Sequence, residues 1–270
     1  MSFWDHLEEF RWTLIRIIIG IAVFTIVGLI IMPKIFDSVI LAPRSSDFVT
    51  YRFLENASKY IPFMPDFSAE SFNVKILNIN MTTQFMTYIS TSFAFAILLS
   101  IPYVLYQIWK FVSPALYENE IKGVKKAFAF GGVMFILGCL VGYFIVFPLI
   151  FRFLITFELS ESIENMISLD SYMSNFYTLI LIMGVVFELP LLCWLLSNLG
   201  LIYRSFFKKY RRHAIVGALL LAALITPSGD PFSLFVVTIP LYLLWEISAL
   251  VVKKDPVEEP GQEIVPTVFE

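Results

Sequence analysis

Residues 175–196, NFYTLILIMGVVFELPLLCWLL, form an apolar run long enough to cross a bilayer, with one ionisable residue, Glu188, inside it. Hydrocarbon offers no water to satisfy a backbone, so such a run must close its own hydrogen bonds, and its length selects a helix. A carboxyl at that depth costs several kcal/mol unless it is protonated, paired or facing water. Glu188 is therefore a functional candidate. The plain alternative is a protonated or snorkelling acid packed at a polar helix interface. Two residues on, Pro190 removes a backbone donor and predicts a kink.

Comparable runs recur along the chain. Phe3, Leu7, Phe10 and Leu14 recur at helical spacing with Asp5, Glu8, Glu9 and Arg11 off the stripe, which predicts an amphipathic helix along the membrane surface. It runs on into a first span, 15–32, that ends before Pro33. A second run covers 85–112 with Pro102 inside, and a third covers 127–154 with Gly131, Gly132, Gly138 and Gly142 as small contact surfaces. The Glu188 segment is the fourth. Two last runs, 214–225 and 232–245, flank a TPSGDP turn; at 1.5 Å per residue each is about 20 Å long against a hydrocarbon core of about 30 Å.

The expected fold is an all-α integral membrane protein with six transmembrane helices, the fifth and sixth short. Residues 1–252 would form one membrane domain, with a long outer first loop at about 34–81 that is partly ordered, and 253–270 a disordered acidic tail. Arg11, Arg16, Lys122, Lys125, Lys126 and the cluster 204–212 fall on the side that holds the termini, so both termini are expected in the cytoplasm. The N-terminus reads as polar and acidic, with a first apolar run too long for a cleavable signal; a bacterial cytoplasmic membrane is expected.

A composition of 58% hydrophobic residues and a mean hydropathy of +0.79 argue against a soluble domain and give no basis for nucleic-acid binding. Cys139 and Cys193 both lie in apolar runs, and with His6 and His213 as the only histidines no metal, cofactor or disulfide framework is expected. No Ser/His or paired-Asp arrangement suggests catalysis.

Two acidic points stand in basic surroundings: Glu8 and Glu9 on the first helix, and Glu118 and Glu120 in the loop 113–126. Carboxylates held on a rigid frame suit guanidinium groups, which bind bidentately. The alternative is that they neutralise nearby lysines in a solvated loop.

Five segments resemble one family. They are HLEEFR at 6–11, FVSPALYENE at 111–120, FELP at 187–190, ITPSGDPFS at 225–233, and IPL at 239–241 leading to Trp245-Glu246. Their order resembles TatC, the multispanning receptor of the twin-arginine protein translocase. That resemblance implies that Glu9 and Glu120 receive the paired arginines of signal peptides on folded cargo. Arg11 would lie beside the first acid, Pro114, Leu116 and Tyr117 would shape the loop, and Glu8 and Glu118 would support. It also implies that Glu188 and Pro190, with Thr226 and Asp230 of the last hairpin, dock TatA- or TatB-type single-span subunits. Self-association and export driven by the proton gradient follow from the same resemblance. Departures are Thr13 where a basic residue is usual, the longer TPSGDP turn, and Leu234 after the serine. From the residues alone, a proton-coupled small-solute transporter using Glu188 stays open as the alternative.

Overall fold

The computed structural model describes residues 3–58, 74–115, 118–157, 159–160, 165–226 and 228–255. These residues are almost entirely helical. The first helix, α1 (Phe3–Ile35), is continuous for 33 residues, about 50 Å. The expected surface helix is thus the first part of the spanning helix, and Pro33 lies inside α1, not beyond it. No residue between Arg11 and Ile17 carries a breaker, so the amphipathic and apolar segments share one backbone.

After a π-helical turn (Phe36–Ile40), α2 (Val49–Ser58) and the two-residue strand β1 (Ile76–Leu77) occupy the first loop. Long α3 (Thr83–Val112) contains Pro102, as the sequence predicts. The third apolar run is divided: α4 (Glu118–Val141), a π-turn at Gly142–Val146, then α5 (Phe147–Thr156). Strand β2 (Ile167–Ser168) pairs in parallel with β1, Ile76 opposite Ile167. The fourth run is also divided, into α6 (Leu169–Val186) and α7 (Leu189–Asn198), with the break at Phe187–Glu188. Pro190 explains it, because a prolyl nitrogen in the first turn has no hydrogen to give and suits a helix start better than an interior.

The remaining helices are α8 (Arg204–Lys209), α9 (Arg211–Ile225) and α10 (Pro231–Val251). Among the described residues, five segments are long and apolar enough to cross a membrane: 4–44, 83–112, 123–156, 169–198 and 231–251. The last run is therefore not short: α10 has 21 residues, about 31 Å, and continues past Trp245. Glu246, where the apolar run was expected to stop, stays helical because it is paired, with Arg211 Nη2 at 2.7 Å and the Tyr242 hydroxyl at 2.9 Å. Of the two runs flanking the TPSGDP turn, α9 is the short one, 15 residues or about 22 Å, below the length of a usual span.

The core centres on α6, whose Leu169, Tyr172, Met173, Phe176, Leu179 and Met183 are buried at three- and four-residue spacing. That is the stripe of a helix facing protein. Between apolar helices in lipid, close approach supplies much of the attraction. A Cβ on Gly138 would stand 2.5 Å from the Met183 carbonyl oxygen, so only glycine allows α4 this near α6.

The rim opposite the N-terminus is tied by long-range hydrogen bonds. The Tyr51 hydroxyl reaches the Pro43 and Pro148 carbonyls at 3.0 and 3.1 Å, Tyr172 donates to Ile40 at 2.6 Å, and Tyr143 to Val39 at 2.8 Å. Arg152 stacks over the Tyr51 ring at 5.4 Å. Burial pushes the Tyr51 phenol up, with the Arg152 charge pulling the other way. The first loop is thus ordered and packed in its described parts. Residues 59–73 and the acidic tail from 256 lie outside the described residues.

Candidate functional site

At the N-terminal rim, α1 is held against the end of α3 by rings. His6 stacks on Phe111 at 4.5 Å and Phe10 tilts against it at 5.6 Å. The Tyr103 hydroxyl donates to the Arg16 carbonyl at 3.2 Å, fixing the same two helices one level deeper. These contacts carry Glu9 to the mouth of the loop that follows α3. That loop begins as a short turn, Ser113–Ala115, with Pro114 exposed.

Glu9 is part-exposed and meets Arg16 through one contact, Nη1 to Oε1 at 3.1 Å, with the side chains 36% and 38% exposed. A pair so open to water contributes about 0–1 kcal/mol, so an incoming cation can replace it at little cost. The sequence expectation places Arg11 beside Glu9 and does not name Arg16 as its ion partner. The signal was present, since residues seven apart lie two turns along one helix face. Arg11 and Glu8 are exposed. Thr13 is buried, so the position where a second basic residue is usual points into protein here.

The backbone of α4 starts at Glu118, which puts Glu118 and Glu120 in its first turn, at the same loop that Glu9 approaches. The side chains of Glu118 and Glu120 lie outside the described residues, as do Leu116 and Tyr117 entirely. Whether the Glu9 and Glu120 carboxyls meet therefore lies outside the described residues.

The Glu188 site is built by the break between α6 and α7. The Glu188 amide donates to the Val185 carbonyl at 3.1 Å, and the Glu188 carbonyl accepts from Leu192 at 3.0 Å. The side chain turns toward α4, where a Cβ on Gly131 would stand 2.8 Å from Oε2. Gly131 thus makes room for the carboxyl. Both Glu188 oxygens are buried, with no hydrogen-bond partner among the described residues. A buried carboxyl left unsatisfied is costly. Pro190 and Leu191 are buried beside it.

Thr226 and Asp230 serve the turn between α9 and α10. Buried Thr226 donates to the Ala222 carbonyl at 2.9 Å. Asp230 caps α10, accepting from the Ser233 amide at 2.8 Å and the Ser228 hydroxyl at 2.6 Å. Burial would raise the Asp230 pKa, but the hydrogen bonds from Ser228 and Ser233 outweigh it and hold the carboxyl below its usual range. Gly229, at φ +59°, supplies the left-handed residue that the turn requires.

Residues 5–240 match the family described as Sec-independent protein translocase protein (TatC). The chain belongs to the TatC family. It is 38% identical over 249 residues to the Sec-independent protein translocase protein TatC of Blattabacterium sp. subsp. Periplaneta americana, covering 92% of this chain and 93% of that one. The TatC of Helicobacter pylori strain J99 is 37% identical over 188 residues, 70% of this chain and 75% of its own. The crystal structure of the twin arginine translocase receptor TatC superposes with a TM-score of 0.68 at 28% identity, covering 91% of this chain and 97% of that one. A second crystal structure of that receptor, in DDM, gives a TM-score of 0.69. The chain is thus a membrane-embedded protein-transport component of the twin-arginine translocase, in a translocase family and not an enzyme family. The transporter alternative for Glu188 gains no support.

Proposed function

We propose that this TatC protein is the receptor and core subunit that binds twin-arginine signal peptides of folded proteins at the rim formed by α1 and the α3–α4 loop. The supporting observation is the half-exposed Glu9–Arg16 pair: a carboxylate on a rigid helix, held by a single replaceable guanidinium contact. A signal-peptide arginine offers the same group with bidentate geometry. Glu120 takes the second arginine, Glu8 and Glu118 add negative potential, and Arg11, Pro114, Leu116 and Tyr117 frame the loop.

In this reading the short α9 is the fifth of six crossings, both termini face the cytoplasm, and the protein resides in a bacterial cytoplasmic membrane. The segment around Glu188, whose buried carboxyl has no hydrogen-bond partner among the described residues, docks TatA- or TatB-type single-span partners together with Pro190 and the Thr226–Asp230 turn, and copies of the chain self-associate. Export is driven by the proton gradient.

Site-specific cross-linking of an Arg-Arg signal peptide to purified protein tests the recognition step. Glu9→Gln and Glu120→Gln are expected to weaken it while the protein elutes as a folded species. Normal binding by both variants would reject the carboxylate assignment. Glu188→Ala is expected to reduce co-purification of single-span partners more than peptide binding, and the reverse order would move Glu188 into the recognition site.

A further inference from the structure

Where α1 gives way to the first loop, the end of α1, β1 and the starts of α3 and α6 flank a cavity of about 370 Å³. Met32, Leu41 and Leu169 give it a buried apolar floor. Five polar side chains line the same space: Asp37 from the π-helical turn, Arg44 from the turn Ala42–Arg44, Asn78 just past β1, and Gln84 and Thr87 from α3. Among the described residues, none of these five side chains has a hydrogen-bond or ion-pair partner. Asp37 and Arg44 carry opposite charges into one cavity and do not pair with each other.

Thr87 separates this cavity from an ordinary wet surface. It is only 5% exposed, yet its hydroxyl makes no bond back to its own helix, whereas Ser92 of the same helix donates to the Tyr88 carbonyl at 2.7 Å. A buried hydroxyl without a partner is costly, and a polar ligand in the cavity would remove that cost. Tyr172 feels the Arg44 charge, but it is a phenol whose hydroxyl is already bound to the Ile40 carbonyl. Lys34, Lys75 and Asp170, the charged neighbours in sequence, do not line the cavity.

The cavity lies at the end of the first span, where hydrocarbon gives way to headgroups. Ile30 on α1 and Phe85 on α3 are exposed close by in sequence, so apolar surface fit for acyl chains reaches its edge. One unpaired cation and one unpaired anion at that level match a headgroup that carries both signs. Guanidinium suits a phosphate, and a carboxylate suits an ammonium that still has hydrogens to donate. We infer that this cavity binds the headgroup of phosphatidylethanolamine, its phosphate on Arg44, its ammonium on Asp37 with the Asn78 and Gln84 amides, and its acyl chains along α1 and α3. An anionic headgroup would leave Asp37 facing a second negative charge, and the quaternary ammonium of phosphatidylcholine has no N–H to give. The bound lipid ties the first loop to the start of α3. No residue of the Glu9 rim, the Glu188 segment or the Thr226–Asp230 turn lines the cavity, so this inference and the proposed function stand or fall separately.

The test titrates the delipidated full chain in micelles with phosphatidylethanolamine, phosphatidylcholine or phosphatidylglycerol, and counts bound lipid by native mass spectrometry. Phosphatidylethanolamine is expected to bind at about fivefold lower concentration than either of the others. Arg44→Gln should weaken phosphatidylethanolamine and phosphatidylcholine alike, by about fivefold. Asp37→Asn should abolish the preference for phosphatidylethanolamine, leave phosphatidylcholine unchanged and improve phosphatidylglycerol; elution volume and helical circular dichroism check that both variants are folded. Equal binding of the three lipids by the parent, which needs no substitution to measure, overturns the inference, as does tightest binding of phosphatidylglycerol. So does a preference that survives in folded Asp37→Asn, or a photoreactive residue at 84 that captures a protein chain in native membranes.

Discussion

The two rims of this helical bundle are built differently. Opposite the N-terminus, buried Tyr51 and Tyr172, with Tyr143, donate across the fold to backbone carbonyls, and β1 pairs with β2. At the N-terminal rim α1 is tied to α3 by ring stacks of His6 and Phe10 on Phe111 and, one level deeper, by the Tyr103 hydroxyl on the Arg16 carbonyl, while Glu9 is held only by a half-exposed ion pair within α1. Buried, satisfied hydrogen bonds are expensive to break, whereas an exposed ion pair exchanges with little loss. One rim fixes the frame, and the other keeps its carboxylate available.

Substitutions should expose that contrast, and the largest effect belongs to the fixed rim. Tyr51→Ala removes a wholly buried ring and is expected to destabilise the protein by about 3–5 kcal/mol, read as a lowered midpoint in thermal unfolding in detergent. A change near zero would mean that the loop is not part of the frame. Next comes Asp230→Ala, which removes the α10 cap and should cost about 1 kcal/mol. Because the folded-state pKa of Asp230 is depressed, its contribution is present above the ordinary carboxylate range and is lost as pH falls through the folded value. Asp230→Ala should therefore narrow its gap to the parent in acid, and a gap that widens there would contradict the hydrogen-bond account. The smallest effect on stability is expected at the exchangeable rim. Glu9→Gln should shift unfolding by less than about 1 kcal/mol while weakening the peptide cross-link, and a large loss of stability would show that the pair is structural.

Much of the architecture was legible because apolar runs and prolines obey local rules. The run 85–112 is helical through Pro102, and Pro190 marks a break, in keeping with its missing donor. The end of α10 was hidden because Glu246 looks like a terminator until its partners are known, and Arg211 lies 35 residues away. The run-on of the amphipathic segment into the first span was legible too, since the two share one axis when no breaker separates them; what was not is that the helix carries on through Pro33. Among the candidate residues, Glu188 stands out by residue type and context, whereas Glu9 is singled out by the family resemblance. Arg16 was missed because its charge reads as part of a span, and Gly131 was seen as a small surface but not as the space for the Glu188 carboxyl. Such pairings depend on which helices meet, which a linear pattern does not contain.

The central claim is that Glu9 exchanges Arg16 for an arginine of the signal peptide. Affinity for an Arg-Arg peptide, measured side by side on the parent, Glu9→Gln and Arg16→Gln, tests it most directly. The account predicts that Glu9→Gln binds more weakly and that Arg16→Gln binds as tightly as the parent or up to about fivefold tighter, because its competing cation is gone. Loss of binding in Arg16→Gln equal to that in Glu9→Gln would contradict it.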